Sequence, residues 1–326
     1  MTLYNKGGFV DEAVRSVLAS TCADFELLVI DDASTDDGPA IVRSIKDPRI
    51  RLVSLERNSG RAAAAARGFE EARGHYIAIL DADDRMHADR LREQRNFLDA
   101  RPGTAVVGSN LQCFGADQSV IRFKQDPEEL RAKSFFTVPV SYGSCMFRAD
   151  LARNERASAA IEWMMPGEDH LFLLALGEYG DFGNIDAALT DYRIGEQNMD
   201  HGRDASADRR ALSAALLAWF GLSHTEEELD AHMLFFHQLS TTDSTAAISA
   251  LFKWKKRLLA EVPGRRNMPE AAFRAEVERR WSDLLPTLQR RAPKCALLHQ
   301  YLSKDRDVRA WVRSLSAIVR NEGDKG

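Results

Sequence analysis

Phe25-Glu26-Leu27-Leu28-Val29-Ile30-Asp31-Asp32-Ala33-Ser34-Thr35 is a short aliphatic run that stops on two carboxylates and a turn. Its length and composition predict a buried strand over 25–30. A second segment repeats the pattern: Tyr76-Ile77-Ala78-Ile79-Leu80 leads into Asp81-Ala82-Asp83-Asp84. Between and beyond them, 49–55 alternates like a strand, 61–73 is Ala-rich and helical, 87–100 is helical and stops before Pro102, and 104–109 is again a strand. This strand–helix alternation predicts an α/β fold with a mostly parallel sheet and helices on both faces. In such sheets ligands bind at the carboxyl ends of strands, where both acidic clusters fall.

The rest of the chain carries weaker signals. Strands are expected over 119–124, 141–148 and 184–193, and a helix over 168–179. From 205 onward, apolar residues recur every three or four positions. They form four faces: Leu229, Met233 and Phe236; Ile248, Leu251, Phe252, Leu258, Leu259 and Val262; Phe273, Val277, Trp281, Leu284 and Leu288; and Val308, Trp311, Val312, Leu315 and Val319. The expected organisation is therefore an α/β domain over 1–204 and an all-helical C-terminal subdomain over 205–326.

Charge divides at the same place. Residues 1–204 hold 24 Lys and Arg against 34 Asp and Glu, a net −10, while 205–326 hold 20 against 15, a net +5. An acidic first part suits a cation site and argues against nucleic acid as a partner. No stretch reaches the ~18 apolar residues of a spanning helix, so a cytoplasmic chain is expected, with peripheral contact at the inner face of a membrane as a further option. Cys22, Cys113, Cys145 and Cys295 form no CxxC pair, and reduced, buried thiols are expected.

Crowded carboxylates repel unless something neutralises them. Hard oxygen ligands at two neighbouring strand ends favour Mg²⁺ or Mn²⁺. Either cluster alone could be simple turn and capping chemistry; both together favour a site. Pro166-Gly167-Glu168-Asp169-His170, ahead of an apolar helix, is a third acidic feature. Spacing alone would make it a first turn complementing the helix dipole.

The order of several segments resembles the inverting glycosyltransferases of family 2, with the GT-A fold. They are Tyr4-Asn5-Lys6, Ser16-Val17-Leu18, the quoted strand through Asp36, Asn58-Ser59-Gly60, Gly74-His75 with the strand after them through Asp84, and Gly167-Glu168-Asp169. The resemblance implies a nucleotide-sugar donor, UDP- or dTDP-linked, and a glycan or lipid-linked glycan acceptor. It places Thr2 and Tyr4 at the base, Asp32 accepting a hydrogen bond from the base, and Asp81 near the ribose. It makes Asp83 the ligand of Mn²⁺ or Mg²⁺, and Asp169 the catalytic base with Glu168 beside it. Arg61, after Gly60, could approach the phosphates or could be a solvated helix-start residue. His170 is expected to be structural.

Two positions depart from the family pattern. Gly195 stands where a His often follows Tyr192-Arg193, with His201 the nearest substitute, and Ala65-Ala66 replace an Arg-Asn pair. Two other readings stay open. A sugar nucleotidyltransferase would need a Gly-rich basic loop, of which Lys6-Gly7-Gly8 is a faint echo. An inactive relative would bind nucleotide or glycan as an assembly partner. Lys253-Trp254-Lys255-Lys256-Arg257 could touch a membrane, although a packed Trp254 is favoured. Finally, the first strand is expected to hold only Met1–Leu3, so that its earlier residues belong to a longer form or another segment fills the gap.

Overall fold

A computed structural model describes residues 1–154, 157, 159, 167–195, 205–236, 244–304 and 308–323. His201 and Pro166 lie outside the described residues. The chain forms two compact units, Met1–Ala205 and Ser206–Gly326.

The first unit opens with β1 (Thr2–Leu3), α1 (Gly7–Leu18), β2 (Leu27–Asp31), α2 (Gly38–Ser44) and β3 (Ile50–Ser54). The three strands form a parallel sheet in the order β1-β2-β3. Then come α3 (Arg61–Glu71), β4 (Tyr76–Ala78), β5 (Arg85–Met86), α4 (Arg90–Asp99), β6 (Thr104–Gly115), β7 (Val120–Ile121) and α5 (Pro127–Ser134). A 3-10 turn (Tyr142–Ser144), β8 (Met146–Arg148), α6 (Ala149–Ala152), α7 (Glu168–Leu176) and β9 (Asp181–Ile194) complete it. The later strands form a second sheet, β4-β8-β6-β9-β5, with β7 on β6.

The α/β class stands, but the expectation of one mostly parallel sheet needs correction. In the second sheet only β6 and β9 run parallel; β4–β8, β6–β8, β6–β7 and β5–β9 are antiparallel. An apolar run reports burial, not direction, so the sequence pattern could not distinguish the two. The strand expected over 141–148 is half turn, because Tyr142–Ser144 curl before β8 begins. The strand expected over 119–124 contracts to the exposed pair Val120–Ile121.

Packing follows the periodicities. Val10, Val14 and Val17 of α1 lie at helical spacing and close onto Leu3, Leu27, Val29 and Val42. Helix α7 is apolar all round after its first turn, and Leu171 through Leu176 are all buried. Its Phe172 stacks on Phe69 of α3 at 5.0 Å between centroids and meets Phe147 of β8 edge-on at 5.4 Å. These aromatic contacts hold the last turn of α3 against α7 and the sheet. All four cysteines are free and buried.

The second unit is helical: α8 (Ala205–Trp219), α9 (Glu226–Phe236), α10 (Thr245–Glu261), α11 (Glu270–Asp283), α12 (Leu285–Arg291), α13 (Pro293–Ser303) and α14 (Val308–Gly323). Ile248, Leu251, Leu258, Phe273, Val277, Trp281 and Leu288 are buried as their spacing predicts. The fourth face departs from expectation, with Val312 54% and Leu315 51% exposed. No helix among the described residues is long and apolar enough to cross a membrane.

Trp254 is 1% exposed, so it is no membrane anchor. Its indole N–H donates to Nδ1 of His232 at 3.1 Å. Burial lowers the His232 pKa to about 3, which keeps the ring neutral and able to accept. Two of the neighbouring cations are also engaged: Lys255 pairs with Glu278 at 2.6 Å and Arg257 with Glu228 at 2.8 Å. Trp254→Ala should therefore cost about 3–5 kcal/mol of stability, as for other buried aromatics. Thermal melting should show a fall on the order of 10 °C, with association to anionic vesicles equal to that of the parent. An unchanged melting temperature would contradict this packing.

Candidate active site

The turns after β1 and β2 are braced against each other. Asn5 and Ala33 both adopt positive φ, 50° and 57°. The Asn5 N–H donates to Ser34 Oγ at 3.1 Å, and Thr35 N–H donates to Asn5 Oδ1 at 2.8 Å. Asn tolerates this conformation, whereas Ala33 bears a cost of roughly 1–2 kcal/mol. Tyr4, beside them, is 45% exposed, and Thr2 is half-buried in β1.

The Asp32 carboxylate is buried and already occupied. Its two oxygens accept from Ser59 N–H at 2.7 Å and Gly60 N–H at 2.8 Å. It thereby fixes the loop that launches α3 and places Arg61. The Lys6-Gly7-Gly8 segment is no phosphate loop in this fold: Gly7 N–H, at the start of α1, donates to Asp36 Oδ2 at 2.7 Å. A carboxylate sits where a phosphate would.

Beyond β4, Asp81, Asp83 and Asp84 crowd together. Burial, followed by the neighbouring Asp81, pushes Asp84 up to about 8. Burial also raises Asp81, although Arg61 opposes the shift. Asp84 Oδ1 accepts the Arg193 backbone N–H at 2.8 Å, and Asp83 Oδ2 meets Lys6 Nζ at 2.6 Å. Gly143 makes the crowding possible, because a Cβ there would fall 2.8 Å from Asp81 Oδ2.

Helix α7 supplies the opposite wall. Gly167 precedes it at φ 101°, a conformation glycine adopts without strain. Glu168 is buried and bonds the Arg61 guanidinium at 2.6 Å, and Asp169 lies 3.6 Å from the same group. Burial alone would lower the Arg61 pKa, but Asp169, Glu168 and Asp81 outweigh it and raise it. Arg61 is thus no solvated helix-start residue; it joins the two acidic walls. Tyr142, also buried, lies under it at 5.9 Å from guanidinium to ring centroid. His170 is structural: its Nε2 lies 2.8 Å from the Ser134 carbonyl, so Nε2 carries the proton.

The structure therefore brings Asp81, Asp83, Arg61, Glu168 and Asp169 into one region. It adds Lys6, Asp84, Tyr142 and Arg193, which sequence reading had not given roles. Arg193 also pairs with Glu12. A partner at such sequence distance leaves no local signal. Gly195 follows β9, and Ala65 is buried on α3.

The donor set fits a divalent cation. The raised Asp81 and Asp84 mark a site with more carboxylate than compensating cation, and the ligands are hard oxygens. Among the described residues no cluster of three His, Cys, Asp or Glu could hold a metal alone. A cation at Asp83 would need further oxygens from a bound ligand, the usual habit of Mg²⁺ beside phosphates.

A family model for glycosyl transferase family 2 matches residues 1–154. The succinoglycan biosynthesis protein ExoO of Rhizobium meliloti is 35% identical over 147 residues, which are 45% of this chain and 42% of that one. The chain thus spans about two fifths of this relative's length. EpsE of Bacillus subtilis, named as a glycosyltransferase, is 30% identical over 207 residues, covering 61% of this chain and 72% of its own. Among solved structures, S. aureus TarS in complex with UDP-GlcNAc superposes with a TM-score of 0.57 at 19% identity, over 97% of this chain and 87% of that one. The mannosyltransferase PcManGT of Pyrobaculum calidifontis, in complex with GDP-Man and Mn²⁺, gives 0.50 at 16% identity, over 100% and 86%. These likenesses carry the GT-A fold. The family match and the extent of the EpsE alignment decide the rest: the chain belongs to glycosyl transferase family 2.

Proposed function

We propose that this chain transfers a sugar from a nucleotide diphosphate donor, UDP- or dTDP-linked, to a hydroxyl of a glycan or lipid-linked glycan, with inversion at the anomeric carbon. The observation that carries this reading is the convergence on Arg61. Through it, the strand-end Asp81 and the carboxylates that start α7 are drawn to one shared cation. Relatives named for succinoglycan and teichuronic acid biosynthesis support a polysaccharide acceptor. Family membership and the Asp36-capped start of α1 disfavour a nucleotidyltransferase.

In this reading Thr2 and Tyr4 flank the base, and Tyr4 is exposed enough to stack on it. Asp32 acts mainly by fixing the Ser59–Gly60 turn, while Asp81 approaches the ribose. Asp83 would hold Mn²⁺ or Mg²⁺, which when bound offsets charge growing on the diphosphate. Lys6, on the same carboxylate, then shares or yields Asp83. Asp169 accepts the proton of the acceptor hydroxyl as its oxygen bonds to the anomeric carbon. The bond from that carbon to the diphosphate breaks, and the nucleoside diphosphate leaves with the electron pair. Glu168, held by Arg61, orients the acceptor side.

Asp83→Ala should abolish metal-dependent nucleotide-sugar binding in calorimetry and leave the fold intact; undiminished binding would sink the metal assignment. Asp169→Asn keeps the shape and removes the base. Turnover should drop ~10²-fold or more with donor binding near normal, and near-normal turnover would place the base elsewhere. Asp32→Ala orphans two N–H groups and should cost about 1–3 kcal/mol together with donor affinity. Asp32→Asn, which retains one acceptor, should fall between; melting and titration curves equal to the parent's would refute the bracing role.

A further inference from the structure

The last three helices carry a surface that the transfer reaction leaves unused. Residues 285–323 hold 8 Lys and Arg against 3 Asp and Glu, a net +5, whereas 205–284 hold 11 against 11. The whole net charge of the second unit therefore sits on α12, α13, α14 and the turns between them.

Helix α14 is mounted with its apolar side outward. Among its described side chains, Ala310 and Ser314, one turn apart, are the buried ones, 2% and 0% exposed. Ser314 Oγ donates to Gln300 Oε1 of α13 at 2.7 Å, and Gln289 Nε2 of α12 donates to the Ala310 carbonyl at 3.2 Å. Small and polar groups thus hold the helix in place. Val312 and Leu315, three positions apart, share a face roughly 150° around the helix from that seam. They are the exposed pair noted above, and half-buried Trp311 borders them. Arg309 and Arg313 are exposed on the Val312 flank, and Arg290 is exposed beside Gln289 on α12. A globular helix ordinarily turns its apolar stripe to the core. An outward apolar stripe with cations along one flank and a Trp at its border has the makeup of a helix that lies in a lipid interface.

We propose that α14, with the cations of the two helices packed under it, is a docking ridge for an anionic lipid surface. Charge disfavours a second copy as the occupant. A two-fold contact sets a patch against itself, so Arg309 and Arg313 would meet their own equivalents. Size disfavours any folded protein partner. Two aliphatic side chains and part of a Trp fall far below the roughly 800 Å² per partner of a stable protein interface. A lipid surface needs neither a shaped partner nor a large area. It takes shallow insertion of a few apolar side chains, and its head groups attract each cation separately. The contact is distinct from sugar transfer and does not depend on it.

The test is flotation of the whole chain with two kinds of vesicle: phosphatidylcholine alone, and phosphatidylcholine with about a third of phosphatidylglycerol. The parent chain should float with the anionic vesicles and at least ~10-fold less with the neutral ones. Salt near 1 M should release it, because the Debye length falls to about 3 Å. Arg290→Gln with Arg313→Gln should weaken binding about fivefold for each charge removed. Val312→Ser with Leu315→Ser should weaken it ~10-fold or more and leave the melting temperature unchanged, since both side chains already face water. Leu315→Cys carrying an environment-sensitive fluorophore should shift to the blue on anionic vesicles. That variant keeps the proposal testable if the double Ser variant loses its fold, and the four native cysteines are buried and stay unlabelled. Absence of flotation by the parent chain overturns the proposal. So does full-strength binding by the double Ser variant, or an unshifted fluorophore on vesicles that carry the chain, because either puts the lipid contact elsewhere. Equal flotation with both kinds of vesicle would remove the anionic partner. Lipid-free self-association that the two Ser substitutions abolish, without flotation, would make the occupant a second copy instead.

Discussion

The Arg61 guanidinium is the interaction on which the site depends. Glu168 and Asp169 come from α7, Asp81 follows β4, and these carboxylates share one cation. Without it, α7 would bring its acidic first turn toward an already acidic strand end. The position of Arg61 is set from two directions. Asp32 holds the turn before α3, and the stacking of Phe69 on Phe172 sets the distance from α3 to α7. Polar bonds at one end of α3 and aromatic packing further along it therefore act on the same residue.

The acidic strand end is arranged for charge rather than stability. Asp84 is pushed up to about 8, first by burial and then by the neighbouring Asp81. Gly143 permits the crowding, while Lys6 and Arg193 moderate it. Functional sites commonly keep such uncompensated groups while the rest of a fold removes them. The loops that meet here come from the two sheets, so neither sheet alone contains the site.

Much of this was legible in the sequence. The aliphatic runs 25–30 and 76–80 announced β2 and β4, and the carboxylates after them announced the site. Helices α3, α4 and α7 were readable from spacing and composition. Strand direction was not, because a buried antiparallel strand such as β8 has the same apolar content as a parallel one. Tyr142–Ser144 hid inside an apparently continuous strand. The ties Lys6–Asp83, Arg61–Glu168 and Arg193–Glu12 connect residues far apart in sequence, and no local pattern encodes them. Trp254 shows the converse: its spacing left it off the apolar face, yet α9 offered His232 as a buried acceptor, and the indole turned inward.

The brace between Asn5 and the turn at Ala33 has a thermodynamic consequence. Two loops that would each be mobile alone are locked by bonds between Asn5, Ser34 and Thr35. A molecule arriving beside Tyr4 then meets a wall whose backbone entropy was surrendered at folding. Little further ordering cost is charged to the encounter, so affinity there reflects contacts more directly than it would at a loop that must first close. The strain at Ala33 is a permanent contribution to that preorganisation, borne by the folded chain whether or not anything is bound.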